Sequence, residues 1–246
     1  LSADEFRKQI DLADKNPAKG WPVYLFSNHD QIRHYNRYGD GKNNDAIAKL
    51  TATLLLTLRG TPILYYGEEI GMENRDPKSI EEVRDPIGKT GWPREKGRDG
   101  ERTPMQWTSE KNAGFSKVTP WLPVADNYKT HNVANELKDP YSILNHYKKL
   151  IALRKNHDAI KYGDYLAIDK NNHDVLSYLR KTDSSAVMVS LNMSENEKTI
   201  NPDLKKHGIN SNPGTVLHAS YKDAPETVNS SLTLPPYGAI LIEFQK

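Results

Sequence analysis

The pattern of apolar and polar positions predicts helices in three parts of the chain. Near the start, Ser2 and Glu5 fit a capping box, and the apolar residues that follow have the spacing of a short amphipathic helix. The clearest helix covers residues 44–59 and would end at Gly60, and another is expected over residues 140–156. The apolar positions of these two longer helices are Ile47, Leu50, Leu54, Leu55 and Leu58 in the first, and Ile143, Tyr147, Leu150 and Ile151 in the second.

Short apolar runs predict strands on either side of the 44–59 helix. Residues 23–27 form the first run and residues 63–66 the second. A continuous apolar run is typical of a strand that is buried on both faces of a parallel sheet. Strand, helix and strand in this order make one βαβ unit with a crossover of the usual length. Because two parallel strands do not close a sheet and a barrel needs eight, we expect the folded protein to require more sequence than this chain.

The rest of the chain differs in pattern from this βαβ unit. Residues 67–140 contain no long periodic segment, and their tryptophans and prolines favour an ordered binding loop over disorder. From Tyr162 onwards, short apolar segments separated by turn residues predict antiparallel strands at 165–168, 175–180, 186–192 and 239–244. We therefore predict two domains: a barrel-like α/β part, residues 1–160, and a small antiparallel β-sandwich, residues 161–246.

Composition restricts the classes of function. With 36% hydrophobic and 27% charged residues and a mean hydropathy of -0.77, the chain is typical of a globular protein. A net charge of +2, with both signs interspersed, gives no electrostatic case for a nucleic-acid or membrane partner. No stretch approaches the roughly 18 apolar residues of a membrane span. The lack of cysteine excludes disulfides, redox thiols and thiolate metal sites, and it is compatible with both the cytoplasm and secretion.

The tripeptide Asn28-His29-Asp30 directly follows the first predicted strand and is the main candidate for a binding site. Parallel α/β folds present binding groups at the carboxyl ends of their strands, where the strand-to-helix loops open. The tripeptide would offer a ligand hydrogen bonds and a negative charge there. On its own it is more typical of a turn or a cap than of a binding site, since Asn and Asp favour such positions.

Two downstream motifs favour the binding interpretation. FSNHDQ (26–31), GTPILYYGEE (60–69) and RDGERTPMQW (98–107) resemble, in this order, the carboxyl-terminal half of the α-amylase superfamily, glycoside hydrolase family 13. The resemblance is greatest to its exo-acting α-glucosidases and oligo-1,6-glucosidases, and it covers nearly the whole chain. It implies an α/β fold: the last strands and helices of a (β/α)8 TIM barrel, followed by a small antiparallel β-sandwich domain. Residues 23–27 would be barrel strand seven and residues 63–66 strand eight.

The resemblance also assigns roles to individual residues. Retaining glycosidases use a nucleophilic carboxylate and a carboxylic acid about 5–5.5 Å apart, and pass through an oxocarbenium-like transition state. A third carboxylate, which clasps the sugar hydroxyls and opposes the developing positive charge, is placed at Asp30. His29 would hydrogen-bond the same sugar and Asn28 would orient its neighbours. Arg98 is expected to contact the terminal glucose, whereas Arg102 would either bind substrate with it or hold the loop.

Several other side chains have both a structural and a functional interpretation. Glu68 and Glu69 resemble an acid pair, but the family resemblance implies that they brace the strand-eight loop. Arg33 is expected to be a surface or loop ion-pair partner. Four aromatic residues of the long loop could stack on sugar rings, although packing within the loop is the favoured interpretation: Trp92, Trp107, Phe115 and Trp121.

The chain departs from the family pattern in one respect. In the family the nucleophilic aspartate follows strand four, two residues after an arginine, and the acid/base glutamate follows strand five. Neither motif occurs in this sequence. We therefore expect this chain to be inactive alone. It would form half of an α-glucosidase site with an amino-terminal half of the barrel, either on another chain or removed, and its substrate would be an α-glucoside such as maltose-like oligosaccharides or sucrose.

Cofactor needs and competing functions follow from the same resemblance. Family members often carry a calcium or magnesium ion in an early barrel loop, which these residues do not include, so we expect no metal and no cofactor on this chain.

Two alternative functions stay open. A transglycosylating or isomerising enzyme would use the same catalytic groups with different loops. A non-catalytic amylase-like binding ectodomain would lack the catalytic set, and the presence of His29, Asp30 and Arg98 argues against it.

Overall fold

The structure is a computed structural model that describes residues 1–15, 20–209, 213–229 and 231–245. The chain forms two compact units. The first unit contains Leu1–Tyr24, Lys49–Pro62 and Tyr147–Lys246, and the second contains Leu25–Ala48 and Ile63–His146. Within the described ranges, no helix combines the length and the apolar character that a membrane crossing requires.

The three predicted helices are present as α1 (Ala3–Asp14), α3 (Asn44–Thr57) and α6 (Ile143–Asn156). Ser2 caps α1, since its side chain accepts a hydrogen bond from the backbone N–H of Glu5 at 3.3 Å. Helix α3 ends two residues earlier than predicted, and α6 begins three residues later. The helices are α1 (Ala3–Asp14), α2 (His34–Tyr38), α3 (Asn44–Thr57), α4 (Pro86–Gly91), α5 (Val133–Glu136), α6 (Ile143–Asn156) and α7 (Asp158–Tyr162).

Strands β1 (Val23–Tyr24) and β2 (Thr61–Pro62) pair in parallel. Both are shorter than predicted, and β2 ends before the apolar run 63–66 begins. The expected burial of that run is wrong, because Ile63 is 48% exposed and Leu64 39% exposed. A strand continues only where its backbone groups have hydrogen-bonding partners. In the described chain these two strands pair only with each other, over two residues.

Antiparallel strands form the carboxyl-terminal part of the first unit, as predicted. They are β3 (Asp164–Ile168), β4 (Val175–Lys181), β5 (Ser185–Asn192), β6 (Lys198–Ile200), β7 (Gly214–Ala219), β8 (Thr227–Val228), β9 (Leu232–Leu234) and β10 (Ala239–Gln245). Six of them form one sheet in the order β3-β4-β5-β10-β7-β8, and β6 pairs with β9 in a second sheet. Side chains of both sheets share one buried apolar cluster, among them Met188 and Ile240 from the first and Ile200 and Leu234 from the second.

The long segment 67–140 of the second unit contains only turns and short helices, the longest being the six-residue α4. This confirms the predicted lack of a long periodic element. Buried polar contacts fold the segment onto itself: Asp99 Oδ2 accepts hydrogen bonds from the backbone N–H groups of Arg84 (2.6 Å) and Asp85 (3.0 Å). The same fold brings the RDGER stretch to the tripeptide at residues 28–30.

Candidate active site

A tight turn after the first apolar run presents Asp30. The side-chain oxygen of Asn28 accepts a hydrogen bond from the Asp30 backbone N–H at 2.8 Å, and Asn28 also pairs with Gln31 across the turn. This contact agrees with the prediction that Asn28 orients its neighbours. The carboxyl group of Asp30 itself is 45% exposed, so a ligand can reach it.

The structure brings all four predicted site residues together. Asp30 Oδ1 accepts hydrogen bonds from Arg98 Nη1 at 2.7 Å and from Arg102 Nη2 at 3.1 Å. Asp30 Oδ2 lies 3.3 Å from Nε2 of His29, whose ring is largely exposed. The two carboxylate oxygens are therefore unequal: the two arginines donate to Oδ1, whereas the neighbour of Oδ2 is the exposed ring of His29. The roles of these residues toward a substrate stay predictions.

Arg102 makes the loop contact predicted for it in addition to its contact with Asp30. Its Nε donates to the backbone carbonyl of His29 at 2.9 Å, while Nη2 reaches the Asp30 carboxylate. One planar guanidinium thus binds both the main chain and the side chain of the tripeptide. The structural interpretation of Arg102 does not exclude its contact with a ligand, because its side chain is 31% exposed.

Asp85 is a member of this cluster that the sequence analysis missed. Its carboxylate accepts from Arg98 Nε at 2.7 Å, from Arg98 Nη2 at 3.3 Å and from the Arg98 backbone N–H at 2.8 Å. It also caps α4 through the backbone N–H of Ile87. The signal was present in the sequence, since an Asp directly before Pro86 is typical of a helix N-cap with proline at the first helical position.

The electrostatics of the cluster keep both carboxyl groups ionised. Loss of water around Asp30 acts to raise its pKa, but the hydrogen bond from Arg98 and the charges of His29, Arg98 and Arg102 lower the pKa by more. The hydrogen bonds from Arg98 hold the pKa of Asp85 far below its usual value, against the effect of burial. An ionised Asp30 can oppose a positive charge, whereas it is unsuited to donating a proton at neutral pH.

The structure contradicts the prediction that Arg33 is a surface ion-pair partner. Arg33 is only 1% exposed, and its guanidinium donates to the backbone carbonyls of Tyr66 and, at 2.8 Å, Glu101. Its charge also lies over the rings of Tyr65 and Tyr66, 5.1 and 4.7 Å from their centres. Carbonyl groups and aromatic faces, which carry partial negative charge, replace the carboxylate that we expected.

Glu68 braces the loop after β2, as the resemblance implied. It is buried, its Oε2 accepts from the Tyr65 backbone N–H at 3.2 Å, and its Oε1 lies 3.3 Å from Nδ1 of the buried His34. The His34 ring also lies 3.4 Å from the Ser27 hydroxyl. This burial leaves the Glu68 carboxyl group without access to a ligand.

The aromatic residues of the long loop are more exposed than we expected. Trp107 is 48% exposed, Phe115 50% and Trp121 74%, so the preference for packing within the loop is wrong for these three. The turn between them is tight: Asn112, Ala113 and Gly114 are all left-handed, with φ of 56°, 55° and 68°. The Ala113 carbonyl accepts from the backbone N–H groups of Trp107 and Thr108. Stacking of these rings on a sugar stays a prediction.

In the portion of the chain that the structure describes, no three His, Asp or Glu side chains are grouped so that they could hold a metal ion. The expectation that this chain binds no metal or cofactor stays a prediction.

Comparison with known proteins identifies the family. Residues 2–163 match the family model described as "Alpha amylase, catalytic domain", and residues 175–241 match the α-amylase SusG C-terminal domain. The chain belongs to the α-amylase family. This confirms the predicted fold class, the last part of a TIM barrel followed by an antiparallel β domain. The division of the chain at residue 160 stays a prediction.

Individual α-amylase-family relatives are similar to this chain over most of its length. The oligo-1,6-glucosidase of Parageobacillus thermoglucosidasius is 44% identical in an alignment of 195 residues that covers 72% of this chain and 35% of the relative. A probable alpha-glucosidase of Rhizobium meliloti is 41% identical over 74% of this chain and 33% of the relative. The crystal structure of the trehalulose synthase of Pseudomonas mesoacidophila superposes with a TM-score of 0.86 and 30% identity, covering 100% of this chain and 47% of that one. This α-amylase-family chain thus spans about a third to a half of the relatives it matches.

Proposed function

We propose that this chain carries one side of the active site of a retaining α-glucosidase, which hydrolyses terminal α-glucosidic bonds of maltose-like oligosaccharides or sucrose. The observation that carries the proposal is the arrangement of Asp30: an exposed, ionised carboxylate whose Oδ1 is held by Arg98 and Arg102. The relatives named oligo-1,6-glucosidase and probable alpha-glucosidase support the same class of reaction.

Asp30 acts as the transition-state stabiliser. Its negative charge opposes the positive charge that develops on the sugar ring as the glycosidic bond breaks. Because Arg98 and Arg102 fix the carboxylate before the substrate arrives, little reorganisation is needed when that charge appears. The less constrained Oδ2 faces the sugar and accepts a hydrogen bond from a hydroxyl group.

The neighbouring polar groups bind the terminal glucose. His29, whose ring is exposed beside Asp30 Oδ2, can donate to one hydroxyl and accept from another in its neutral form. The exposed parts of the Arg98 and Arg102 guanidinium groups present further donors to hydroxyl oxygens. A site with several fixed donors for one ring favours exo-acting cleavage at a terminal sugar.

The nucleophile and the acid/base residue are supplied by an amino-terminal half of the barrel. The share of the relatives that this chain leaves unmatched supports this partner. Exposed apolar side chains in the two apolar runs also support it, since Leu25, Ile63 and Leu64 are of the type that barrel interiors bury. Their contact with the amino-terminal half would remove this apolar surface from water.

Complementation of the two halves tests the proposal. p-Nitrophenyl α-glucoside is assayed with this chain alone, with the amino-terminal half alone and with both mixed, hereafter the complemented enzyme. Hydrolysis is expected only from the mixture. Activity of this chain by itself would contradict the proposal, and so would a mixture that forms a folded complex and remains inactive.

The structural likeness to a trehalulose synthase favours one second candidate, an isomerising or transglycosylating enzyme. Such an enzyme would use the same Asp30 and the same arginines and would differ in how its loops exclude water. Product analysis of the complemented enzyme with sucrose separates the two. Glucose and fructose indicate hydrolysis, whereas an isomer of sucrose indicates transfer.

A further inference from the structure

Arg33 is a buried cation whose role the proposed function leaves open. Taking a guanidinium out of water is costly unless its donors are satisfied. Two of its donors are satisfied by main-chain carbonyl groups, those of Tyr66 and Glu101, and its Nε has no partner among the described residues. Because both acceptors are main-chain carbonyl groups, these hydrogen bonds fix the position of the backbone at Tyr66 and at Glu101.

Each of the segments joined by Arg33 carries or adjoins a site residue. Arg33 follows Asp30 by three residues, and its backbone N–H donates to the Asn74 side chain at 2.8 Å. Glu101, whose carbonyl accepts from Arg33 Nη2, directly precedes Arg102. One side chain therefore ties the segment of the carboxylate to the segment of the arginine that holds it.

Hydrogen bonds from side chains to backbone carbonyls also hold the main chain on both sides of Arg102. The hydroxyl of Tyr65 donates to the Glu101 carbonyl at 3.2 Å, and that of Tyr66 donates to the Thr103 carbonyl at 2.7 Å. The guanidinium of Arg33 lies against both of these rings. Arg33 thus supports both tyrosine rings. It also donates to the Glu101 carbonyl, which accepts from the Tyr65 hydroxyl as well.

The contact between Asp30 and Arg102 depends on such support. Both side chains are about one-third to one-half exposed, and exposed ion pairs contribute little toward their own geometry. The distance between Asp30 Oδ1 and Arg102 Nη2 is therefore set mainly by the backbones that carry them. Those are the backbones that Arg33 joins.

We propose that Arg33 is a positioning residue, which fixes the separation between Asp30 and Arg102. The contacts of Arg33 support the positioning itself, and its consequence for catalysis rests on the proposed function. Arginine is required because its planar fork places two nitrogens at a fixed spacing against the two carbonyls, whereas lysine presents a single nitrogen that cannot reproduce this spacing.

Gly67 gives independent support for a dedicated place for this guanidinium. Its φ of 85° lies in the left-handed region, and a Cβ at this position would lie 2.9 Å from Arg33 Nη1 and 2.4 Å from Met72 Sδ. A side chain here would push the guanidinium away from its carbonyl acceptors. Gly67→Ala therefore disturbs the same contact while Arg33 keeps its charge.

Nuclear magnetic resonance of this chain, labelled within its complex with the unlabelled amino-terminal half, tests the positioning without any activity. In Arg33→Lys, the Nε–H of Arg102, which donates to the His29 carbonyl, should exchange with water about tenfold faster or more. The pKa of Asp30, read from its carboxyl carbon, should rise toward the usual value because an opposing charge has moved away. The matched control is Arg180→Lys. Arg180 is likewise a fully buried arginine that donates to backbone carbonyls, but it lies in the first unit.

The outcomes separate a positioning role from a merely structural one. A structural role predicts that Arg33→Lys and Arg180→Lys both lower stability and leave the Arg102 and Asp30 signals unchanged in the folded state. A folded Arg33→Lys with unchanged signals overturns the proposal. If Arg33→Lys fails to fold, Gly67→Ala supplies the same readouts, and unchanged signals in that variant overturn the proposal equally.

Kinetics of the complemented enzyme test the catalytic consequence. Arg33→Lys should lower kcat by about 100-fold, the usual loss for a misplacement near 1 Å, with a smaller change in KM. Arg180→Lys should leave both close to the parent values. If the unmodified complemented enzyme is inactive, the proposed function fails while the resonance test of Arg33 still gives its answer.

Discussion

Asp85 and Arg98 are joined by three hydrogen bonds, which come from the backbone N–H, Nε and Nη2 of the arginine to a carboxylate that has no exposed surface. The same carboxylate caps α4. Arg98 is therefore fixed on one edge of its guanidinium, and Nη1 is directed to Asp30. The two carboxylates, Asp30 and Asp85, balance the charges of the two arginines, Arg98 and Arg102. The electrostatic field of these four groups therefore weakens quickly with distance.

Asp85→Asn should destabilise the chain while keeping the cap, because asparagine is an equally good N-cap residue. The expected loss is about 1.5–3 kcal/mol at pH 7, the usual contribution of hydrogen bonds to a charged group. Urea unfolding measures it. The matched control is Asp126→Asn, since Asp126 lies in an exposed pair with Lys78 and should cost less than about 1 kcal/mol.

The difference between Asp85→Asn and the parent chain should depend on pH. The pKa of Asp85 is lowered in the folded chain, so its stabilising contribution is present above the pKa of the unfolded chain, about 3.9. The contribution is lost as the pH falls below that value toward the folded pKa. The two unfolding curves should therefore converge in acid, and a constant gap down to pH 2 would contradict the role of the Asp85 charge.

Asp30→Asn should lower kcat of the complemented enzyme by about 100-fold or more, because the substituted amide cannot oppose the charge of the transition state. Folding should be preserved, since Asp30 is nearly half exposed. Asp126→Asn again serves as the control and should leave turnover unchanged. Near-normal turnover of Asp30→Asn would remove this residue from the site.

Glu136 should make stability fall as the pH rises from about 4.5 to 7. Burial raises the pKa of Glu136 to about 7, with smaller contributions from Asp45 and Asp139, against the lowering effects of the Leu144 backbone N–H and His131. A raised folded pKa gives a contribution that is complete below the unfolded pKa and lost through the folded one.

Glu136→Gln should remove this dependence, since glutamine keeps the side-chain oxygen that accepts from the Leu144 N–H. Relative to this variant, the parent chain should lose roughly 1.4 kcal/mol for each unit of pKa shift between these pH values. Urea unfolding at pH 4, 6 and 8 measures it. Parallel curves for the two proteins would show that Glu136 titrates normally.

Trp121→Ala should leave stability within about 0.5 kcal/mol, because three-quarters of this side chain is exposed and surface changes are usually of that size. If the ring stacks on a sugar, the substitution should raise the KM of the complemented enzyme for maltotriose more than its KM for p-nitrophenyl α-glucoside. Leu122→Ala, at the buried neighbouring position, should show the opposite pattern: a loss of stability without selective loss of affinity. An equal change of KM for both substrates would exclude stacking beyond the first sugar.

The sequence was sufficient where local pattern determines structure. Helices α1, α3 and α6 have strong three- and four-residue periodicity, and the Ser2 cap lies where its motif predicted. The strands of the main antiparallel sheet that were predicted are long enough for alternation and turn residues to mark them. Strands β6, β8 and β9 are only two or three residues long and gave too little signal, and the six-residue β7 was missed although it is longer than β3.

Long-range contacts account for what the sequence could not predict. Arg33 was expected at the surface because nothing in its neighbourhood shows that Tyr66 and Glu101 will turn their carbonyls toward it. The contact of Asp30 with Arg98 spans 68 positions; the family resemblance implied that both residues contact the sugar, but not that they contact each other. The run 63–66 was misjudged because the burial of an apolar strand depends on partners that this run does not find in the described chain.

The left-handed run Asn112-Ala113-Gly114 limits how the exposed aromatic loop can vary. Side chains with a Cβ rarely adopt this conformation, and Ala113 does so while completely buried. Larger or β-branched residues are therefore disfavoured at this bend, while Phe115 and Trp121 nearby have open space around them. The bend is therefore the constrained part of this loop: substitutions at Phe115 and Trp121 should be tolerated by the fold, whereas substitutions at the three bend residues should destabilise it.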